Sequence, residues 1–184
     1  RVVGLTFDEN NQLFVSASFN GTIGYYYYTP STNSFTPVEV VTGQSVQKPF
    51  ANAGILYIPS PYTGGGLLMY DYKNTPNTLS DDRFKILKRI NNLPADQVVS
   101  AALDKNDNLW IGTQNGIRIL SNPSASIDEE NPQSEPIIIE ENGTGEELFR
   151  DSQILQIEVD SGNQKWVSVD DGGVFYLSSN GEQT

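Results

Sequence analysis

The sequence predicts an all-β fold made of blades of four antiparallel strands, with about four blades present. Two observations carry the prediction: a recurring acidic-turn motif, and the number of strand-like runs between its copies. In 3-VGLTFDENNQLFVSASFNG-21, 99-VSAALDKNDNLWIGTQNG-116 and 155-LQIEVDSGNQKWVSVDDGG-173 an apolar run ends at an Asp (Asp8, Asp104, Asp160). An aromatic follows six residues later (Phe14, Trp110, Trp166), and a Gly closes each segment (Gly21, Gly116, Gly173). A degenerate copy, 52-NAGILYIPSPYTGGGLLMYDY-72, lacks the Asp and carries Tyr57 and Gly66 at the aromatic and Gly places. The aromatics are separated by 43, 53 and 56 residues, a period that marks a repeat architecture.

Each copy reads as two antiparallel strands joined by a tight turn. Asp and Asn suit the turn because their side chains bond the local backbone and tolerate a left-handed conformation. In 109-LWIGT-113, alternation places Trp110 and Gly112 on one face and Leu109 and Ile111 on the other, as in a strand covered on both sides. The closing Gly permits the reversal into 117-IRIL-120 or 174-VFYL-177. Further strand candidates are 38-VEVVT-42, 84-FKILKRI-90 and 136-PIIIE-140. Together they bring each repeat to about four short strands, the content of a β-propeller blade. The repeat units fall near 1–28, 38–72, 84–120 and 136–178 of a single propeller domain. Because six to eight blades is the usual size, the chain is expected to be part of a larger propeller.

Composition narrows the function classes. Among 184 residues there are 0 His and 0 Cys, which removes His-based triads, thiol nucleophiles, disulfides and the usual zinc sites. A net charge of -12 disfavours nucleic acid, whose phosphates call for Lys and Arg. No run approaches the roughly 20 apolar residues of a membrane-spanning helix. Pairs of carboxylates converging from different blades remain open to an enzyme, but no spacing singles one out. The expectation is a protein without catalytic residues, cofactor or metal.

Several stretches invite a site reading. The turns DENNQ, DKNDN and DSGNQ resemble the start of a calcium loop, yet lack its Gly and distal Glu and fit turn capping better. Phe14, Tyr57, Trp110 and Trp166 fit inter-blade packing better than sugar stacking. In 25-YYYY-28 alternation exposes two rings unless another element covers them, a ready contact for glycan or protein, though Tyr is also an ordinary strand residue. The run 83-RFKILKR-89 holds four of the 11 basic residues, and edge-strand protection explains it better than an anionic ligand. The glycines at 64–66 and 143–145 read as turns, and the Asn-Gly-Thr triplets at Asn20 and Asn142 match a glycosylation acceptor. The Pro-, Ser- and acid-rich stretch 121–136 reads as a solvated, protease-sensitive loop or a protein-contact insertion.

The pattern NLWIGTQNGI, preceded by 92-NLPADQVVSAALDKND-107, resembles the two-component-regulator propeller repeat of bacterial extracytoplasmic sensors. The stretches 83–124 and 142–181 are similar to the propeller of PorZ-like proteins of the type IX secretion machinery in Bacteroidetes. This resemblance implies a non-enzymatic cell-surface protein of an attachment complex at the outer membrane. Its implied partners are other secretion-complex proteins, with lipopolysaccharide or another glycan as ligand. The alternative is the periplasmic sensor of a hybrid histidine kinase that recognises an oligosaccharide. Neither resemblance assigns ligand-binding residues.

Overall fold

The computed structural model describes residues 2–19, 22–38, 48–75, 78–141 and 144–179. The first sheet is a meander of β1 (Val2–Phe7), β2 (Leu13–Phe19), β3 (Thr22–Thr29) and β4 (Ser34–Val38), each paired with the next. The second repeats this order with β5 (Phe50–Asn52), β6 (Ile55–Ser60), β7 (Gly66–Asp71) and β8 (Arg83–Leu87). The third contains β9 (Val98–Leu103), β10 (Asn108–Thr113) and β11 (Gly116–Ser121). After α1 (Pro123–Ser126) and the hairpin of β12 (Ile138–Glu141) with β13 (Thr144–Glu147), the last sheet is β14 (Ile154–Val159), β15 (Lys165–Val169) and β16 (Gly173–Leu177). These sheets are successive propeller blades. The second and third blades start one strand later than the aromatic repeat units, because β4 pairs with β3 and β8 with β7 and each closes the preceding blade.

The first two blades have the expected four strands, and the third and fourth have three among the described residues. In the third blade the outer edge is reduced to one bridge, Ile119 to Glu135, with N–H···O distances of 2.9 and 2.8 Å. Pro132 and Pro136 flank that bridge, and a proline has no N–H with which to extend a ladder. The expected strand 84–90 ends at Leu87 and turns into a 3-10 segment, Arg89–Asn91. The cause is local: the Asn91 side chain accepts the Lys88 N–H at 2.9 Å, and Asn92 sits at φ 63°. Of the candidate strand 38–42, Val38 ends β4 and residues 39–42 lie outside the described residues.

The core lies between blades. Phe14, Tyr25 and Tyr27 of the first blade meet Leu56, Ile58 and Tyr70 of the second. Tyr57, Leu67 and Met69 of the second meet Leu109, Ile111 and Leu120 of the third. Trp110 and Ile117 of the third meet Ile157, Val167 and Leu177 of the fourth. The alternation expected in 109–113 holds, with Leu109, Trp110 and Ile111 all at most 2% exposed. Phe14, Tyr57 and Trp110 therefore point toward the following blade, while the residues beside Tyr57 and Trp110 pack on the preceding one.

Two residues beyond each aromatic the side chain is small or compact: Ser16, Pro59, Gly112 and Ser168. At Gly112 the reason is a close approach, since an added Cβ would lie 2.5 Å from Ile154 Cγ2 on the inner strand of the next blade. That strand is itself fixed, because Ile157 N–H donates to Ser100 Oγ at 3.0 Å. Gly112→Ala is therefore expected to lower stability by about 1–3 kcal/mol through overpacking, read as an earlier urea midpoint with an unchanged slope.

Candidate functional site

The three acidic turns are built alike. Asp8 Oδ1 accepts the N–H groups of Asn10 and Gln12 at 2.9 and 2.7 Å, and Asp104 Oδ1 those of Asn106 and Asn108 at 2.8 and 3.0 Å. Asp160 Oδ1 accepts those of Gly162 and Gln164 at 2.8 and 2.9 Å. The fourth residue of each turn is left-handed, with Asn11 at φ 59°, Asp107 at 58° and Asn163 at 66°. Asn and Asp tolerate this region, which explains their place in the motif. One oxygen of each Asp is thus used to close its own hairpin. The degenerate copy solves the same problem without an Asp, by a two-residue turn with Ala53 and Gly54 both at positive φ (50° and 77°).

The second carboxylate oxygen reaches beyond the turn. Trp110 Nε1 donates to Asp104 Oδ2 at 3.0 Å, and Lys165 Nζ of the fourth blade binds the same oxygen at 3.0 Å. Lys165 is wholly buried, stands 4.9 Å from the centroid of the Trp110 ring, and donates to the Ser179 carbonyl at 2.8 Å. The repeat explains this charge in the core. Leu109 holds the place before the aromatic in the third blade and faces Tyr57, whereas Lys165 holds it in the fourth and faces the Asp104–Trp110 pair. In the first blade the aromatic is Phe14, which has no donor, and Tyr72 of the second blade donates its hydroxyl to Asp8 Oδ2 at 2.8 Å while packing 4.9 Å from the Phe14 ring. Neighbouring turns touch directly as well: Lys105 N–H donates to Asn163 Oδ1 at 2.8 Å, and Lys105 Nζ to the Ser161 carbonyl at 2.6 Å.

Burial alone would raise the Asp104 carboxyl. The Asn108 N–H, the Trp110 indole, the Lys165 ammonium and the Asn106 N–H outweigh it and hold the group below its ordinary range. Tyr72 is pushed up, first by burial and then by its bond to the Asp8 carboxylate. Asp160 is lowered chiefly by the Gln164 N–H. Trp166 Nε1 also donates to Asp160 Oδ2 at 3.3 Å, yet Trp166 is 45% exposed where Trp110 is 2% exposed. Packing of this aromatic against a following blade, expected from the repeat, is therefore incomplete: its face, with Tyr176 at 4.8 Å and exposed Val174, meets no further blade among the described residues. The opposite end is open too, with Val2, Leu5, Phe7 and Phe35 exposed on the first blade.

The other candidate stretches take the following places in the structure. Tyr25 and Tyr27 are buried against the second blade; Tyr26 and Tyr28 face outward, and Tyr28 packs on Phe35 at 5.0 Å and donates to Asn33 Oδ1 at 2.9 Å. The basic strand β8 is tied to the acidic stretch: Arg83 bridges Asp71 at 2.6 Å and also binds Asp128, while Lys85 donates to the Glu129 carbonyl. The reading of 121–136 as a solvated loop is therefore revised. Ile127 and Ser134 are buried, and Asn91 clamps the segment, its Nδ2 donating to the Pro132 carbonyl at 3.0 Å and its own carbonyl accepting from Ser134 Oγ at 2.8 Å. The glycines at 64–66 form the β6–β7 turn, Gly64 and Gly66 having φ of 77° and 90°. Gly143, Asn20 and Asn142 lie outside the described residues.

A groove of about 490 Å3 runs along the inner strands, walled by Lys48, Phe50, Ser100, Gln156 and Glu158 among others. It lies along the first strands of the second, third and fourth blades, β5, β9 and β14.

A family model described as "Two component regulator propeller" matches residues 92–115, the stretch that contains the Asp104 turn and Trp110. No curated protein sequence matches the chain. Among solved structures, PorZ, described as an essential bacterial surface component of the type-IX secretion system of Porphyromonas gingivalis, superposes on 100% of this chain with a TM-score of 0.83 at 20% identity. The chain spans 26% of the PorZ chain, about a quarter of its length. The extracellular domain of the putative hybrid two component system BT4673 from B. thetaiotaomicron also covers 100% of this chain and is itself 29% covered, with a TM-score of 0.51 at 15% identity. The computationally designed Ika8 protein covers 99% of this chain and is 47% covered, with a TM-score of 0.57 at 12% identity. The chain is thus a β-propeller arc close in fold to PorZ, and its residues 92–115 are similar to the two-component-regulator propeller repeat.

The lowered Asp104 carboxyl gives a signed expectation. A group depressed on folding adds stability that is present above its unfolded pKa and lost as pH falls through its folded value. Asp104→Asn keeps an acceptor for the turn but removes the charge opposite Lys165, so near neutral pH it is expected to cost about 3–5 kcal/mol. The difference from the parent protein should shrink as pH drops below about 4, followed by urea unfolding at stepped pH.

Proposed function

We propose that this chain is part of a bacterial cell-surface β-propeller that acts as a non-catalytic binding scaffold in the type IX secretion attachment complex. In this reading the propeller contacts other secretion-complex proteins, with lipopolysaccharide or another glycan as ligand, and sits on the outer membrane's external side. The observation that carries the proposal is the superposition with PorZ along the whole chain at a TM-score of 0.83, against 0.51 for the extracellular domain of the two component system. The chemistry of the buried acids supports a scaffold. Asp8 and Asp104 are used in turn closure and inter-blade bonds, and Asp71 in bridges to Lys73 and Arg83 at 2.7 and 2.6 Å.

Isolation of the full-length protein from its own envelope, with mass spectrometry of co-purified proteins and carbohydrate analysis, tests this directly. Type IX secretion components or lipopolysaccharide in the eluate are the expected result. A free oligosaccharide without secretion partners, on a polypeptide continuing into a histidine kinase, would overturn the scaffold in favour of the sensor.

A further inference from the structure

The two closed Asp sites and the open one form a series. In the Asp8 site, Oδ2 receives one donor from the next blade, the Tyr72 hydroxyl; in the Asp104 site it receives the indole of its own blade and an ammonium from the next. Asp160 has the second arrangement half complete: its turn is capped, its own indole is in place, and among the described residues no donor from another blade reaches Oδ2. The nearby cation Lys105 directs its ammonium to the Ser161 carbonyl. The surrounding surface continues the pattern of the three closed interfaces. Trp166, Val174 and Tyr176 lie on the outward face, and Ser168 holds the place where Gly112 lets the inner strand of the following blade pass.

We infer that the face around Asp160 and Trp166 is a fourth inter-blade interface, occupied by a further propeller blade of the same polypeptide that sets an apolar strand on Trp166 and a Lys or Arg side chain on Asp160 Oδ2. The place that Lys165 holds in the fourth blade, just before the repeat aromatic, is Leu13 in the first blade of the present arc, so that blade, its own or a second copy's, sets no cation there. The open face of the first blade exposes Val2, Leu5, Phe7 and Phe35, all apolar. The first blade therefore cannot complete the Asp160 site in the way Lys165 completes that of Asp104. Continuity with the Asp104–Lys165 interface identifies the position of the missing cation: the residue just before the repeat aromatic of the next blade, where Lys165 stands relative to Trp166.

The test is hydroxyl-radical footprinting of the full-length native protein, read residue by residue by mass spectrometry, together with thermal unfolding of Asp160→Asn. Trp166 and Tyr176 are expected to be protected to within about twofold of buried Trp110 at every protein concentration. Asp160→Asn, which retains an acceptor for the turn, is expected to lower Tm by about 5 °C or more. Trp166 oxidised at the rate of a free surface tryptophan would refute the interface. Protection that fades on dilution would transfer it to a second copy or another protein and refute the assignment to the same polypeptide. Full protection with an unchanged Tm in Asp160→Asn would refute the cation.

Discussion

Three of the four blades of this arc are built on a carboxylate whose two oxygens serve different neighbours. Oδ1 of Asp8, Asp104 and Asp160 binds two backbone N–H groups and closes a hairpin. In the first two, Oδ2 takes a donor from the adjacent blade. A hairpin alone is marginal in water, and a sheet gains stability only when its faces are covered. Because the same side chain shapes the turn and grips the next blade, forming the local unit also prepares its inter-blade contact. This couples neighbours in the nearest-neighbour fashion of repeat proteins.

The polar grip operates beside an apolar interface. Trp110 is buried against Ile157 and Val167 of the next blade, and Lys165 lies over its ring, so the ammonium is neutralised by Asp104 and lined by an aromatic face. An ion pair in such a place adds little stability over a well-packed apolar pair, but loss of one partner is costly. Its value here is in registration. The apolar clusters tolerate sliding of one sheet on another far better than a buried charge with one acceptor does. Gly112 adds a steric check, since it fixes how near β14 passes. The outer regions follow the same logic with weaker parts, as Arg83 and Asn91 pin the 121–136 segment across the second and third blades.

The turn-and-aromatic repeat was legible in the sequence because its physics is local. An Asp that caps N–H groups two and four residues ahead must recur at a fixed distance from the strand it starts, and Trp110 and Trp166 do occupy equivalent places in successive blades. What the spacing did not disclose were partners that only the fold brings together. Nothing around Lys165 or Tyr72 marks them as partners of Asp104 and Asp8, although a Lys at a place held by Leu in the other three copies (Leu13, Leu56, Leu109) was a visible signal. The packed state of 121–136 was hidden for the same reason, its prolines and acids being typical of a free loop until Asn91, Arg83 and Lys85 are seen holding it. The solvent-facing Trp166 departs from an expectation that presumed a following blade.

The most direct test of the account is a double-mutant cycle on Asp104 and Lys165 in the full-length protein, using Asp104→Asn, Lys165→Met and the pair, each measured by urea unfolding. If the carboxylate grips the neighbouring blade as described, the single variants should each be strongly destabilised and the double variant should recover, giving a coupling of about 2 kcal/mol or more. Costs that add to within about 0.5 kcal/mol would mean that the two residues act independently, contradicting the inter-blade grip on which the rest of the structure is explained.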